Sequence, residues 1–317
     1  MTTNDLQENQ QDRIIGGIFG VAISYALGVP VEFTSRASLD ENPVTGYRAF
    51  GSHNQPAGTW SDDTSLTLCL MDALREDLDY NRIAETFIAW YDEALWTAGG
   101  KVFDVGITTR HAINALKLGT APELAGPTEE EANGNGSLMR ILPLAFYTAK
   151  MPEDLRRKYA FDISAMTHGH PRSKIACWLY CEIARNLLLG SNRPEAIDSA
   201  YKRVDAWQKT NGGNSQWHHF ARCTSTIAGA IRDTIRSTGY VIDSLEAALY
   251  CMLKTNTFEE AMLMAVNFGN DTDTVGAITG GLVGTYYGVQ EIPAHLQSGL
   301  RRSGDIQNLV RQFASSI

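Results

Sequence analysis

Cysteine is scarce in this 317-residue chain, and its five cysteines include no pair at the C-x-x-C spacing of a redox or zinc motif. An odd number of cysteines is typical of a reducing compartment rather than of a secreted disulfide framework. Cys177 and Cys181 are spaced to share one face of a helix, where thiols behave as small core side chains. We therefore expect a cytoplasmic protein with buried, unpaired cysteines.

Basic residues are also fewer than acidic ones. The chain carries 27 lysines and arginines against 36 aspartates and glutamates, which gives a formal net charge of −9. This balance argues against nucleic acid or anionic lipid as a partner, because both attract basic surfaces. With 44% hydrophobic and 20% charged residues, the composition is that of a folded globular chain rather than a disordered one.

The sequence nearly lacks the alternating apolar pattern of β-strands, and helical periodicity runs through most of it. Apolar stripes pass through Leu66, Ile83 and Ile175, and further helices are predicted over 107–118, 138–149, 154–166, 193–208, 219–237, 243–254 and 257–267. We predict an all-α protein of ten or more helices. Residues 1–12 are predicted to form a polar N-terminal tail, and residues 13–317 one compact domain.

Two uncharged stretches, residues 14–31 and 274–290, approach the length of a membrane span. Neither has basic flanking loops, and both are rich in glycine; the second has a glycine at every fourth position from Gly276 to Gly288. Small residues at this spacing let helix backbones approach closely in water-soluble cores as well as in membranes. We expect two buried central helices and no membrane partner.

Two acidic, hydroxyl-rich clusters each precede an apolar helix, about 210 residues apart in the chain. The first contains Ser61, Asp62 and Asp63, and the second contains Asp271 and Asp273. Either cluster alone has a simple explanation, because aspartate, serine and threonine are preferred helix N-caps. A cap uses only one side chain, however, and each cluster offers two carboxylates together with hydroxyls.

If the two loops meet, four carboxylates face each other, and such repulsion is tolerable only with cations between them. Hard oxygen ligands favour Mg²⁺ or Mn²⁺ over zinc or copper. Shared carboxylates are typical of sites that hold two ions.

Motifs from about residue 12 to residue 310 carry a family resemblance. They are, in order, Gly16-x-x-x-Gly20 through Leu27-Gly28-x-Pro30-x-Glu32-Phe33, Trp60-Ser61-Asp62-Asp63-Thr64, Asp104-Val105-Gly106 with Thr109, Asn135-Gly136-Ser137-Leu138-Met139-Arg140, Thr167-His168-x-His170-Pro171 and Asp271-x-Asp273-Thr274. Through this series the sequence resembles the ADP-ribosylglycohydrolases, such as the dinitrogenase-reductase-activating glycohydrolases and the ADP-ribosylarginine hydrolases.

The resemblance implies an all-α fold with two Mg²⁺ or Mn²⁺ ions at its centre. It also implies hydrolysis of the glycosidic bond between ADP-ribose and a modified protein side chain. Carried over position by position, the implied metal ligands are Ser61, Asp62, Asp63, Asp271, Asp273 and Thr274. Such cations activate water, and nearby carboxylates stabilise oxocarbenium-like charge; Asp62 and Asp63 are therefore also predicted to be catalytic.

The resemblance implies catalytic roles for two further acids. Glu32 matches the family's glutamate beside the metal site, where it contacts a metal or gates the site; the alternative is a solvated acid after a proline turn. Asp104 matches an aspartate that handles the ribose or the leaving side chain, and its alternative is a plain helix N-cap.

A glycine-rich loop is the candidate site for the substrate's diphosphate. Backbone N–H groups of glycine-rich segments at a helix start bind anions, and the resemblance implies this role for Asn135, Gly136, Ser137 and Leu138. It further implies that His168 lines the ADP-ribose pocket. The His168-x-His170 spacing also suggests a metal site, but no third ligand lies near in sequence.

One position departs from the family pattern. Where the family usually has Gly-Asp-Ala, this chain has Ser24-Tyr25-Ala26, so that Tyr25 replaces an aspartate expected to shape that loop. Because every implied metal ligand is present, we expect retained hydrolase activity with an altered local geometry.

Three functions follow from these observations. The first is a metal-dependent hydrolase that removes ADP-ribose from protein side chains, arginine above all, with an ADP-ribosylated protein as its substrate. The second is an immunity protein that neutralises a cognate ADP-ribosyltransferase toxin by hydrolysis, by occlusion of the toxin's active site with residues 1–12, or by both. The third, motivated by Tyr25, is a non-catalytic ADP-ribose-binding protein.

Overall fold

The computed structural model describes residues 3–211 and 216–317, with side-chain environments from residue 8 onward. Within these ranges the chain forms fourteen α-helices and no strand, only isolated bridges between Phe50 and Gln55 and between Gly134 and Tyr240. The all-α prediction is confirmed. The helices are α1 (Thr3–Gly28), α2 (Arg36–Glu41), α3 (Asp62–Ala73), α4 (Tyr80–Glu93), α5 (Ile107–Lys117), α6 (Leu142–Tyr147), α7 (Glu153–Ala165), α8 (Pro171–Leu188), α9 (Arg193–Thr210), α10 (Val241–Lys254), α11 (Phe258–Val266), α12 (Thr272–Tyr287), α13 (Ala294–Gly299) and α14 (Ser303–Ser316).

The centre of the fold is a backbone-to-backbone contact between α1 and α12. A Cβ atom on Gly20 would lie 2.0 Å from the carbonyl oxygen of Gly280, and a Cβ on Gly280 would lie 2.1 Å from that of Gly20. Gly16 and Gly284 make the same reciprocal contact one turn away. Only glycine permits this approach. The two uncharged stretches are therefore the buried central helices that their glycine spacing predicts.

One helical stretch, Glu8–Val31, is long and apolar enough to cross a membrane by length and composition alone. In this fold, 94% of its apolar window is buried inside the protein. Its apolar surface is thus used for packing, and one contiguous core runs from Ile14 to Ala314 around it.

The end of α1 lies against the start of α12. A Cβ on Gly28 would come within 2.3 Å of the Asp273 Cα, and the Thr272 hydroxyl donates to the Gly28 carbonyl over 2.9 Å. Pro30 lies in the short 3-10 turn Val29–Val31 that ends α1, because proline has no N–H with which to continue a helix. The chain therefore delivers Glu32 directly beside the acidic first turn of α12.

Two predicted helices differ from the structure. The segment 219–237 forms 3-10 turns at Trp217–Phe220, Ser225–Gly229 and Arg232–Thr234 instead of an α-helix; it contains two serines, three threonines and one glycine, which disfavour helix interiors. The predicted helix 138–149 begins only at Leu142. Pro143 fixes that start, since proline is tolerated only in the first turn of a helix.

The described part of the predicted N-terminal tail is helical. Helix α1 begins at Thr3, while Met1 and Thr2 lie outside the described residues, so the division of the chain at residue 12 stays a prediction. At about 1.5 Å per residue, the beginning of α1 is roughly 37 Å from its end at Gly28.

All five cysteines are buried, and none forms a disulfide bond.

Candidate active site

The two acidic clusters meet. Asp62 at the start of α3 and Asp271 and Thr274 at the start of α12 line one cleft of about 510 Å³. Beside it, atoms of Glu32, His53, Asp104 and Asp273 that could bind a metal all lie within 4.8 Å of one another. Of the residues predicted from the sequence, the cleft is lined by Glu32, Asp62, Asp104, Asn135, Gly136, His168, Asp271 and Thr274. Ser61, Asp63 and Asp273 are also buried but do not line the cleft.

Neither acidic cluster acts as a helix cap. Ser61 and Asp271 occupy the N-cap positions of α3 and α12, yet neither makes a side-chain capping bond. The Ser61 hydroxyl instead donates to the Phe103 carbonyl oxygen over 2.5 Å, and Asp271 Oδ2 accepts a 2.7 Å bond from the Asn135 amide. The capping explanation therefore fails for both clusters.

Buried oxygens without partners remain in each cluster. Asp63 Oδ2 and Asp273 Oδ2 are inaccessible to solvent and accept no hydrogen bond within the described part of the chain. Leaving a buried carboxylate oxygen unpaired costs about 1–3 kcal/mol or more, and a bound cation would remove that cost. The two oxygens belong to the first turns of the two helices that meet.

Burial and mutual repulsion disfavour the charged form of these acids. Burial is the largest cause of the raised pKa of Asp62, Asp63 and Asp273, and the charges of neighbouring carboxylates raise it further. Burial also raises the pKa of Asp271, against the hydrogen bonds from Asn135 and Thr274. Either protons or cations bound to the cluster would therefore relieve this repulsion.

Among residues 8–211 and 216–317, no lysine or arginine forms an ion pair with the acids of the two clusters, with Glu32 or with Asp104. The basic group beside them is His53, whose Nε2 atom contacts Glu32 Oε2 closely and lies 3.9 Å from Asp104 Oδ2. The bond to Glu32 raises the pKa of His53, and burial is the main cause of the raised pKa of Glu32. Glu32 is only 7% exposed, so the solvated-acid explanation fails.

Sequence reasoning missed His53, which belongs to none of the motifs. It lies in the loop closed by the Phe50–Gln55 bridge, and the neighbouring Ser52 hydroxyl donates to the Glu32 carbonyl over 2.6 Å. The His53 ring lies between the rings of Phe33 and Phe103, at centroid distances of 6.1 and 5.4 Å. Only this tertiary packing brings the imidazole to the site.

Asp104 is not a helix cap either. Helix α5 has Gly106 at its N-cap position and no side-chain capping bond. Asp104 adopts a left-handed backbone conformation, with φ of 56°, and such residues cluster at functional sites. Its carboxylate accepts a 3.2 Å hydrogen bond from the hydroxyl of Tyr25, the residue at which the chain departs from the family pattern. Burial raises the pKa of Asp104.

The glycine-rich loop forms one wall of the cleft, although α6 begins after it. Its backbone is anchored by a bond from the Asn135 N–H to the Gly239 carbonyl oxygen over 3.0 Å. Asn135 and Gly136 line the cleft. The side chains of Ser137 and Leu138 do not; Ser137 accepts hydrogen bonds from Ser164 and Cys177 in the core, and Leu138 is buried.

His168 faces the cleft in its neutral form. Burial, assisted by the charge of Arg140, lowers its pKa to about 3, and its Nδ1 atom pairs with the Thr167 hydroxyl over 2.8 Å. His170 caps α8 by accepting the Arg172 N–H. The two histidines therefore do not share a metal site.

The donor set fits divalent cations of the hard type. Carboxylates and hydroxyls from two helix starts converge, and two buried oxygens lack partners. His53 pairs with Glu32, but no described basic group pairs with the aspartates of the two helix starts. Mg²⁺ and Mn²⁺ prefer such oxygen ligands.

Comparison with known proteins gives a consistent picture. A family model described as ADP-ribosylglycohydrolase matches residues 6–317. Similar proteins include two named ADP-ribosylarginine hydrolase Tri1: that of Serratia proteamaculans is 34% identical over 95% of this chain and 79% of its own length, and that of Pseudomonas putida is 31% identical over 96% and 79%. The ADP-ribosyl-[dinitrogen reductase] glycohydrolase of Rhodospirillum rubrum is 30% identical over 89% and 88%. A solved structure described as an ADP-ribosylglycohydrolase-related protein complex superimposes with a TM-score of 0.77 and 27% identity, over 98% of this chain and 99% of the other.

Proposed function

Because this chain belongs to the ADP-ribosylglycohydrolase family, as its motifs predict, we propose that it hydrolyses the bond between ADP-ribose and an arginine side chain of a modified protein. The choice of arginine rests on the similar proteins named ADP-ribosylarginine hydrolase. The observation that carries the proposal is the meeting of two acidic clusters, from helix starts far apart in sequence, beside one cleft.

Two divalent cations, Mg²⁺ or Mn²⁺, are the proposed cofactors. The residues assigned to hold them are Ser61, Asp62, Asp63, Asp271, Asp273 and Thr274. The unpaired oxygens of Asp63 and Asp273 support this assignment, as does the raised pKa that burial gives both acids, since bound cations would remove that cost. When bound, such cations supply Lewis acidity toward water and ribose oxygens.

The chain's own acids stabilise charge and move protons. Cleavage of the glycosidic bond builds oxocarbenium-like charge on the ribose, and nearby carboxylates stabilise that charge. Asp62 is assigned this role because it lines the cleft. Glu32 and Asp104 are assigned the proton transfers, because both line the cleft and burial raises the pKa of both toward the working pH. His53 keeps Glu32 in place through their contact.

The wall made by the glycine-rich loop is assigned to the ADP-ribose moiety. A Cβ on Gly136 would lie 2.6 Å from His168 Cε1, so glycine is what allows the backbone to lie against the imidazole. The backbone N–H groups of Gly136 to Leu138 are then the donors assigned to the diphosphate, because that of Asn135 is already bonded to the Gly239 carbonyl oxygen. Neutral His168 adds a polar, uncharged surface beside them.

Product analysis on three substrates tests this proposal. Purified protein is incubated with arginine-, serine- and nucleotide-linked ADP-ribose, each with Mg²⁺, with Mn²⁺ and with chelator. We expect free ADP-ribose from the arginine-linked substrate, lost on chelation and restored by either cation. Release from serine-linked substrate alone contradicts the choice of acceptor, and binding of ADP-ribose without any release identifies a non-catalytic binder.

A further inference from the structure

Tyr25 occupies a position inside the acidic site. It lies on α1, one turn before Gly28, and its side chain is completely buried. Its hydroxyl lies 3.0 Å from Asp62 Oδ1 and 3.2 Å from Asp104 Oδ2. These two acids are 37 and 79 residues away in the chain, so one phenol joins three separate segments.

The phenol contributes a donor without adding charge. A carboxylate at the same place would add to the repulsion among the acids, and a basic side chain would compete with cations for them. A tyrosine hydroxyl stays neutral and supplies one proton, so that of Tyr25 lies within hydrogen-bond distance of both acids and donates to one of them at a time. Its ring has only two rotatable torsions and is held by the core on every side, so the oxygen is fixed in space.

Asp104 depends on this contact. It stands on a loop in a left-handed conformation, and His53, its neighbour on the other side, is 3.9 Å away, beyond hydrogen-bond distance. Asp62, by contrast, is held in the first turn of α3. The hydroxyl of Tyr25 thus connects an acid on a rigid helix with an acid on a loop.

We propose that Tyr25 is a positioning residue of the hydrolase, which orients Asp62 toward the cation site and holds Asp104 at a fixed place relative to it. This inference rests on the proposed function for its kinetic consequences, but its effect on cation binding does not depend on turnover. Partners that orient a metal ligand from behind typically contribute 10- to 100-fold to metal affinity or activity.

The test compares Tyr25→Phe with Tyr180→Phe. Both substitutions remove one buried phenolic hydroxyl and leave the ring; Tyr180 donates to the carbonyl oxygen of Ile278, more than one helical turn after Asp273 in α12. We expect Tyr25→Phe to weaken Mn²⁺ binding, measured by the EPR signal of free Mn²⁺, by about 10-fold. Tyr180→Phe is expected to change it by less than about 3-fold. Equal Mn²⁺ affinities in the two variants overturn the proposal, whether or not the wild-type protein is an active hydrolase.

A double-mutant cycle identifies the acid through which Tyr25 acts. With the arginine-linked substrate, Tyr25→Phe is expected to lower kcat by about 10- to 100-fold with little change in KM. In a chain that already carries Asp104→Ala, which removes the acceptor, the same change is expected to lower kcat by less than about 3-fold, because contacting residues are not additive. An undiminished effect in that background contradicts the role of Tyr25 in holding Asp104. Inactivity of the wild-type chain on every linkage would instead reject the proposed function and leave the Mn²⁺ comparison decisive.

Discussion

Asp63 and Asp273 stand on the first turns of α3 and α12, and each keeps one buried carboxylate oxygen without a hydrogen-bond partner. Besides burial, the charge of Asp63 contributes to the raised pKa of Asp273. The fold therefore holds two acids in a buried position where the charged form of each carboxylate is unfavourable. Such a cost is typical of functional sites, where stability is given up for binding.

Replacing one of these acids is expected to stabilise the cation-free protein. Asp63→Asn removes a buried charge, and we expect the free energy of unfolding in the presence of chelator to rise by about 1–3 kcal/mol. The stabilisation that Mg²⁺ gives to the wild-type chain should disappear in this variant. Thermal unfolding with chelator and with Mg²⁺ measures both effects, and Asp77→Asn, at an exposed position, is the control. A lower melting temperature for Asp63→Asn in chelator contradicts this account.

The pH dependence of stability should follow the same acids. Burial and repulsion raise the pKa of Asp63 and Asp273 in the folded state above the unfolded value of 3.8. Their stabilising contribution is full below that value, where both states are protonated, and is lost as pH rises through the folded pKa. Without cations, the wild-type chain should therefore lose stability with rising pH relative to a chain carrying Asp63→Asn and Asp273→Asn. Calorimetry from pH 4 to pH 8 checks this, and a gap that does not change with pH rules it out.

His53 should influence catalysis through Glu32. Its hydrogen bond lowers the pKa of Glu32 against the larger effect of burial, so His53→Leu should raise that pKa further. We expect kcat/KM to fall by about 10-fold and the acidic limb of its pH profile to move to higher pH, because Glu32 must then lose its proton later. His111→Leu, at an exposed position on α5, serves as control. A profile that keeps its acidic limb in place contradicts this role.

The contact between α1 and α12 should tolerate no side chain. Gly20→Ala places a methyl group on the Gly280 carbonyl oxygen, and overpacking of this kind costs about 1–3 kcal/mol or more. Gly304→Ala, where nothing lies within 4 Å of the added carbon in α14, should be neutral or stabilising by up to about 1 kcal/mol. Urea denaturation followed by circular dichroism measures both, and equal midpoints would refute the close-packing interpretation.

The sequence carries much of this fold, because helix periodicity and glycine spacing are local signals. The glycines of α1 and α12 predict a close helix pair, and that pair brings Glu32 to Asp273. The helix predicted over 219–237 does not form, because tertiary hydrogen bonds replace the local ones there. Its apolar residues are spaced as in a helix, but its carbonyls find other donors; those of Arg232 and Ile235 accept hydrogen bonds from Arg36.

Less of the site than of the fold can be predicted from the sequence. The acidic clusters are visible because each is compact in the chain. His53 and Tyr25 are not, because their roles arise only where a loop folds onto Glu32 and where a helix residue meets Asp62 and Asp104. At position 25 the sequence shows a departure from the family, but only the structure shows a hydroxyl between two acids.

Reconstitution with cations tests the central claim most directly. Protein freed of metal by chelation is titrated with Mg²⁺ or Mn²⁺ while the release of ADP-ribose from an arginine-modified protein is followed, beside Asp273→Asn as the matched variant. We expect no release without cation, full recovery on addition for the wild-type chain, and no recovery for Asp273→Asn. Release by the chelated wild-type protein, or recovery by Asp273→Asn equal to that of the wild type, would contradict it.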